Sequence, residues 1–165
     1  MDFSLPEKLL KTKREARDWV ENVLNPLCEP LEKEERIPDA LVKELREGQF
    51  RFFGLTIPKE YGGEGRTVVE WFTILEELAK AYATVRLIAH TMNGLFWRPL
   101  LYFGTEEQKR EYLPKLATGE IWAANSLTEP EAGTGKDINS KAFKDGDDYI
   151  LNGHKWLITF FPKYT

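Results

Sequence analysis

The hydrophobic positions change period once along this chain. Through about residue 120 they recur every three to four residues, the spacing of helices with one buried face. Ser4-Leu5-Pro6-Glu7 has capping-box spacing, with Pro6 in the first turn. Behind it Ala16, Val20, Val23, Leu24 and Leu27 make one apolar stripe, and Pro26 and Pro30 are expected to bend or stop that helix. Asp39 is the expected cap of a second helix, which presents Leu41, Leu45 and the aromatics from Phe50 to Phe53 and stops at Gly54. Leu55, Ile57 and Pro58 read as extended or turn-like, followed by a loop at Tyr61-Gly62-Gly63-Glu64-Gly65. Thr67-Val68-Val69-Glu70 repeats the capping-box spacing and opens a helix that buries Trp71, Ile74, Leu75, Leu78 and Tyr82. Residues 84–102 are apolar all round and predict one central, buried helix, kinked at Pro99. Thr105-Glu106-Glu107-Gln108 caps a last amphipathic helix through Tyr112, Leu113 and Leu116, closed near Gly119.

Beyond Glu120 the pattern shortens to strands. Ile121–Leu127, Lys141–Phe143, Tyr149–Leu151 and Trp156–Phe161 are the expected four, with turns at Asp145-Gly146-Asp147 and Asn152-Gly153. The chain thus reads as mainly α, with a helical domain over 1–120 and an incomplete antiparallel β-domain over 121–165. Four strands with no further partners expose edge N–H and C=O groups and an unburied apolar face. Such a half-domain needs the rest of its sheet or another chain.

Composition narrows the class of function. The chain has 165 residues, 42% hydrophobic and 30% charged, with a net charge of −4. These values suit a globular fold and are too apolar for disorder. Lys and Arg are interleaved with Asp and Glu without a basic stripe, which disfavours nucleic acid. No apolar run reaches the ~20 residues of a membrane span. The single cysteine, Cys28, excludes an internal disulfide and a cysteine-based zinc site. It fits a reducing compartment, and with no presequence pattern at the start the expected location is cytoplasmic.

Catalytic vocabulary is sparse. The sequence has no dinucleotide-binding glycine motif after a strand, no Walker loop and no zinc-protease helix motif. His90 reads as a core or interface polar group and His154 as exposed, with no spacing that joins them into a metal site. Glu76-Glu77 and Glu106-Glu107 read as solvated helix faces or favourable first-turn charges. Residues 125–134 differ: Thr128, Gly133 and Thr134 surround a rigid Pro130. A flat, polar flavin ring needs amides and hydroxyls at its pyrimidine edge and glycine where the chain approaches closely. By composition alone, a surface turn is the better reading of this segment.

Four blocks in order change that weighting. Gly54-Leu55-Thr56-Ile57-Pro58-Lys59-Glu60-Tyr61-Gly62-Gly63 comes first. Phe103 through Lys109, with Tyr112 through Glu120, forms the second. Leu127-Thr128-Glu129-Pro130-Glu131-Ala132-Gly133-Thr134 and Leu151-Asn152-Gly153-His154-Lys155-Trp156-Leu157-Ile158-Thr159 are the third and fourth. Together they resemble the signature blocks of the acyl-CoA dehydrogenase family, over nearly the whole chain. The resemblance implies that the cofactor is FAD and that Asn125, Ser126, Leu127 and Thr128 line the flavin ring. Gly133 and Thr134 match positions where the family's loop meets the cofactor and the CoA part of the substrate. Leu157, Ile158 and Thr159 match the segment whose threonine hydroxyl lies near flavin N5. Phe96, with Met92, Leu95 and Trp97, aligns with the border of the acyl pocket, and large rings there imply short or branched acyl groups.

The implied reaction is α,β-dehydrogenation of an acyl-CoA to the 2,3-enoyl-CoA in fatty acid metabolism. An electron-transferring flavoprotein or similar acceptor is the implied partner, and a homo-oligomer the implied assembly. The family's catalytic glutamate lies in a C-terminal helical domain, so no catalytic residue is assigned within these 165, and the chain is expected to be a truncated or partial enzyme, inactive alone. Leu157 stands where the family has tryptophan, Gly135 where it has aspartate, and Phe160-Phe161-Pro162-Lys163-Tyr164-Thr165 leaves the family pattern. These departures suit a second reading, a non-catalytic helical interaction module. A flavin monooxygenase of the same fold is a third.

Overall fold

The computed structural model describes residues 4–34, 36–132 and 137–159. Seven α-helices among them precede a single two-stranded sheet, so the protein is mainly α. The chain forms two compact units, the first ending at Ile121 and the second starting at Trp122.

The first unit opens with α1 (Glu7–Trp19), whose N-cap is Pro6 rather than Ser4, and no side chain caps it. Of the bend or stop expected at the prolines, the stop does not occur. A π turn over Val20–Leu24 carries the helix on into α2 (Asn25–Glu34), with Pro30 inside it. In the π turn the Asn25 N–H reaches back five residues to the Val20 carbonyl. That widening relieves the clash a proline ring makes with the turn before it. It also explains the spacing of the buried stripe. Ala16, Val20, Leu24 and Cys28 are all buried and recur every four residues. At 3.6 residues per turn such a stripe walks roughly 120° round the helix in twelve residues, and the wider π turn takes up part of that drift.

Helix α3 (Asp39–Glu47) starts behind Pro38, so Asp39 is its first residue and not its cap. It stops at Gly48, not Gly54. The following chain turns sharply through Arg51, at φ 40°, into a 3₁₀ turn at Phe52–Gly54 that touches α3, α5 and α7. Phe50 and Phe52 both pack tilted on Trp19, and Phe52 packs edge-on against Trp71, with ring centroids 5.1 to 5.8 Å apart. Each such ring contributes roughly 1.5–3 kcal/mol through burial. The Gly-rich segment folds back on its own start: the Glu64, Gly65 and Arg66 amides donate to the Gly54, Ile57 and Leu55 carbonyls.

Helix α4 (Val68–Leu78) carries the expected capping box between Thr67 and Glu70 and buries Trp71, Ile74, Leu75 and Leu78. Tyr82 is half-buried and serves as the N-cap of the next helix. Glu77, expected on a solvated face, is wholly buried instead. Arg17 of α1 donates to it twice at 3.1 Å, and Lys80 donates at 2.6 Å.

The predicted central helix is two helices, α5 (Ala83–Gly94) and α6 (Trp97–Phe103), broken at Leu95 and Phe96. Pro99 lies in the first turn of α6, where its missing N–H costs nothing. The break comes from side chains that take over backbone bonds. The Asn93 carbonyl, which would accept the Trp97 amide in a continuous helix, accepts the Trp97 indole N–H at 3.0 Å and the Thr56 hydroxyl. The Gly94 carbonyl likewise accepts the Arg98 guanidinium. The Asn93 side chain donates to the Phe52 carbonyl at 2.6 Å and accepts from the Thr56 amide at 3.3 Å. This buried network fixes α5 to the Phe52–Gly54 turn. Nor is the segment buried all round, since Leu95, Tyr102 and Phe103 are exposed. Helix α7 (Glu106–Thr118) has the expected Thr105/Gln108 capping box and ends at Gly119, φ 69°.

The second unit holds one hairpin, β1 (Lys141–Asp145) and β2 (Asp148–Asn152), paired antiparallel with Phe143 opposite Ile150. Gly146 at φ 60° leads its two-residue loop, the glycine-first arrangement that matches the natural strand twist. Residues 122–129 and 153–158 form no strand, against the expectation from Ile121–Leu127 and Trp156–Phe161; Phe160 and Phe161 lie outside the described residues. A strand exists only through its ladder, and these segments lack one among the described residues.

Candidate flavin-edge site

The second unit brings two of the sequence blocks together. The Trp156 amide donates to the Thr128 carbonyl at 3.1 Å. Lys155 donates to the Leu127 carbonyl at 3.0 Å and to Glu129 Oε1 at 2.8 Å. Residues 127–129 and 155–156 therefore lie side by side.

Glu129 is the centre of this arrangement, only 4% exposed. Its carboxylate also accepts the Asn139 amide at 2.6 Å, the Ser140 amide at 2.8 Å and the Ser140 hydroxyl. The Lys155 ammonium, then the Ser140 hydroxyl, hold its pKa down at about 2, against the opposing effect of burial. Gly153 makes room for this. A Cβ there would stand 2.0 Å from Ser140 Oγ, so any larger residue displaces the serine from the carboxylate.

Around this knot the predicted residues take distinct places. Asn125, Ser126 and Leu127 are exposed and Thr128 is half-buried. The amides of Asn125, Ser126 and Leu127 have no acceptor among the described residues. Leu157 is exposed at φ 53°, an unusual conformation for a branched side chain, with Ile158 half-buried and Thr159 exposed. Gly133 and Thr134, with Gly135, lie outside the described residues. In the first unit Phe96 is half-buried at the α5–α6 break, while Met92 and Trp97 are core residues. Sequence reasoning missed Glu129, Ser140, Gly153 and Lys155. The available signal was an acid in one matched block, Glu129, and a base in the other, Lys155.

The chemistry of residues 125–128 suits a flavin. Amides and hydroxyls on an exposed segment are the donors that a pyrimidine edge accepts. Among the described residues no three His, Cys, Asp or Glu gather to hold a metal, and no helix is long and apolar enough to cross a membrane.

The helical unit is of a recognisable class. Residues 6–120 match the family model described as acyl-CoA dehydrogenase, N-terminal domain. The chain belongs to the acyl-CoA dehydrogenase family. It is 38% identical over 148 residues to the 3-(aryl)acrylate reductase of Clostridium sporogenes, covering 89% of this chain and 39% of that protein. It is 37% identical over 160 residues to the short-chain specific acyl-CoA dehydrogenase of Clostridium acetobutylicum, covering 96% of this chain and 42% of the relative. A glutaryl-CoA dehydrogenase from Mycobacterium smegmatis, solved in complex with FADH2, superposes with a TM-score of 0.81 at 29% identity, covering 93% of this chain and 39% of that one. The chain thus spans about two fifths of the length of these relatives.

Proposed function

We propose that this chain is the N-terminal portion of an FAD-dependent acyl-CoA dehydrogenase, which oxidises an acyl-CoA to its 2,3-enoyl-CoA. The observation that carries the reading is the Trp156–Thr128 hydrogen bond, which sets the two matched blocks side by side. Asn125, Ser126, Leu127 and Thr128 offer amides and hydroxyls to the flavin pyrimidine edge. By the family resemblance, Gly133 and Thr134 would meet the cofactor and the CoA part of the substrate, and Leu157, Ile158 and Thr159 would serve the flavin ring. Bound there, FAD supplies the acceptor for the substrate's β-hydride. The α-proton goes to a carboxylate that none of these residues provides. Phe96 limits the length of the acyl group.

The complete enzyme would be a cytoplasmic homo-oligomer that passes electrons to an electron-transferring flavoprotein or a similar acceptor. The likeness to a 3-(aryl)acrylate reductase favours a second reading, in which the same transfer runs towards reduction of the double bond.

An NMR titration of the 165-residue chain with FAD tests the flavin reading. Amide shifts at Asn125–Thr128 and Leu157–Thr159 are expected, with binding too weak to survive gel filtration because few contacts are preorganised. No shift in either segment at saturating FAD would overturn it and favour the non-catalytic helical module.

A further inference from the structure

We infer that Glu129 and Lys155 are positioning residues for the flavin: their clasp sets the register between residues 125–128 and 157–159, the two segments read above as the cofactor's edge. The inference rests on that reading and adds a cause for the geometry it needs.

The argument begins with what else fixes these segments. Among the described residues neither lies in a sheet, so no ladder there sets their spacing. One backbone bond, from the Trp156 amide to the Thr128 carbonyl, joins them directly. A single hydrogen bond contributes only about 1 kcal/mol net and leaves rotation about its axis free. Lys155 removes that freedom. Its ammonium bridges the Leu127 carbonyl and the Glu129 carboxylate, one residue to either side of Thr128. Three consecutive residues of one segment are thereby tied to two consecutive residues of the other.

Glu129 in turn is anchored from a third direction, by the Asn139 and Ser140 amides at the entrance to β1. The clasp is therefore tied to the start of the hairpin as well as to the two segments. Charge is essential to this design. A carboxylate accepting four hydrogen bonds, one from an ammonium, is held far more firmly than a neutral amide of the same shape. Both charged residues are less exposed than the edge they hold. Glu129 is buried and Lys155 half-buried, while Asn125, Ser126, Leu127 and Thr159 face solvent. The clasp therefore acts on the flavin only through the segments it aligns.

The test uses the 165-residue chain with Lys155→Met, Glu129→Gln and Lys155→Arg. Hydrogen exchange at the Trp156 amide reads the clasp, and the Phe143 and Ile150 amides of the hairpin serve as internal controls. In Lys155→Met and Glu129→Gln the Trp156 amide should exchange about tenfold faster, with the hairpin controls unchanged. On FAD addition the wild type and Lys155→Arg should shift both segments together. In Lys155→Met the shifts should be confined to one segment. A clasp that merely stabilised the unit would speed exchange at the hairpin as well, and that result overturns the inference. Unchanged Trp156 protection in Lys155→Met overturns it too, as do FAD shifts in both segments of that variant. If FAD shifts neither segment of the wild type, the flavin reading fails and the positioning role falls with it. The other negative outcomes leave that reading standing.

Discussion

Arg17 and the wholly buried Glu77 face each other through two hydrogen bonds, Nε to Oε2 and Nη2 to Oε1, each 3.1 Å long. The pair joins α1 to α4. Lys80 completes the carboxylate's environment at 2.6 Å, and Lys13 stands 3.9 Å away. All three cations reach solvent, so only the acid bears the full cost of leaving water.

Replacing Arg17 by Met keeps the packing of the stem and leaves Glu77 with lysines alone. The expected loss is about 2 kcal/mol, within the range for a buried group deprived of a charged partner. A urea melt followed by circular dichroism measures it. An unchanged midpoint would show that Lys13 and Lys80 suffice.

Acid should unfold the chain through three carboxylates. The Glu70, Glu77 and Glu129 carboxyls are each pulled from the ordinary 4.5 down to about 2. The Thr67 amide and Lys8 act on the first, Arg17 on the second and Lys155 on the third. A lowered folded-state pKa gives stability that is complete above the unfolded value and lost as pH falls through the folded one. Thermal midpoints should therefore hold from pH 7 to about 5 and drop between pH 4.5 and 2. In Arg17→Met that drop should be shallower, because Glu77 then titrates nearer its ordinary value.

A polypeptide ending at Ile121 should keep the helical circular dichroism and a cooperative melt. Helices α1 through α7 all belong to the first unit, which closes with the return of the Glu120 and Ile121 amides to the Lys115 carbonyl. Collapse of the helical signal on this truncation would show that the helices depend on the second unit.

Phe96 gives a prediction for an active protein that contains this chain. Phe96→Ala should raise kcat/KM for longer straight acyl-CoA substrates by about tenfold, as expected when a filled pocket is opened. The neighbouring Trp97→Ala should instead destabilise by about 3–5 kcal/mol, because its ring is core and its indole N–H bonds Thr56 and Asn93. Equal chain-length profiles for Phe96→Ala and the parent would remove Phe96 from the pocket.

Helices were legible in the sequence wherever their signal was local. Thr67 with Glu70, and Thr105 with Gln108, form the capping boxes their spacing announces. Ser4 and Asp39 miss their expected roles because Pro6 and Pro38 take the cap positions. The π turn was hidden in plain view, as a stripe of period four beside a proline. The α5–α6 break was not readable, since Thr56 lies 37 residues from the Asn93 carbonyl it helps to occupy. The same holds for the candidate site. Its exposed residues were named from the resemblance, but the clasp beneath them joins Glu129 to residues ten or more places away. Ile121–Leu127, and the described part of Trp156–Phe161, form no strand because strand identity depends on partners that composition does not supply.

The β1–β2 hairpin has every one of its ten residues exposed, Phe143, Tyr149, Ile150 and Leu151 among them. A two-stranded ribbon with water on both faces has little but its ladder to resist opening. Proteases cut where backbone can leave its fold cheaply. Lys141 and Lys144 on β1, and Tyr149 and Leu151 on β2, are thus ready targets for trypsin and chymotrypsin. Brief digestion should nick the chain there first and release the helical unit as a resistant fragment.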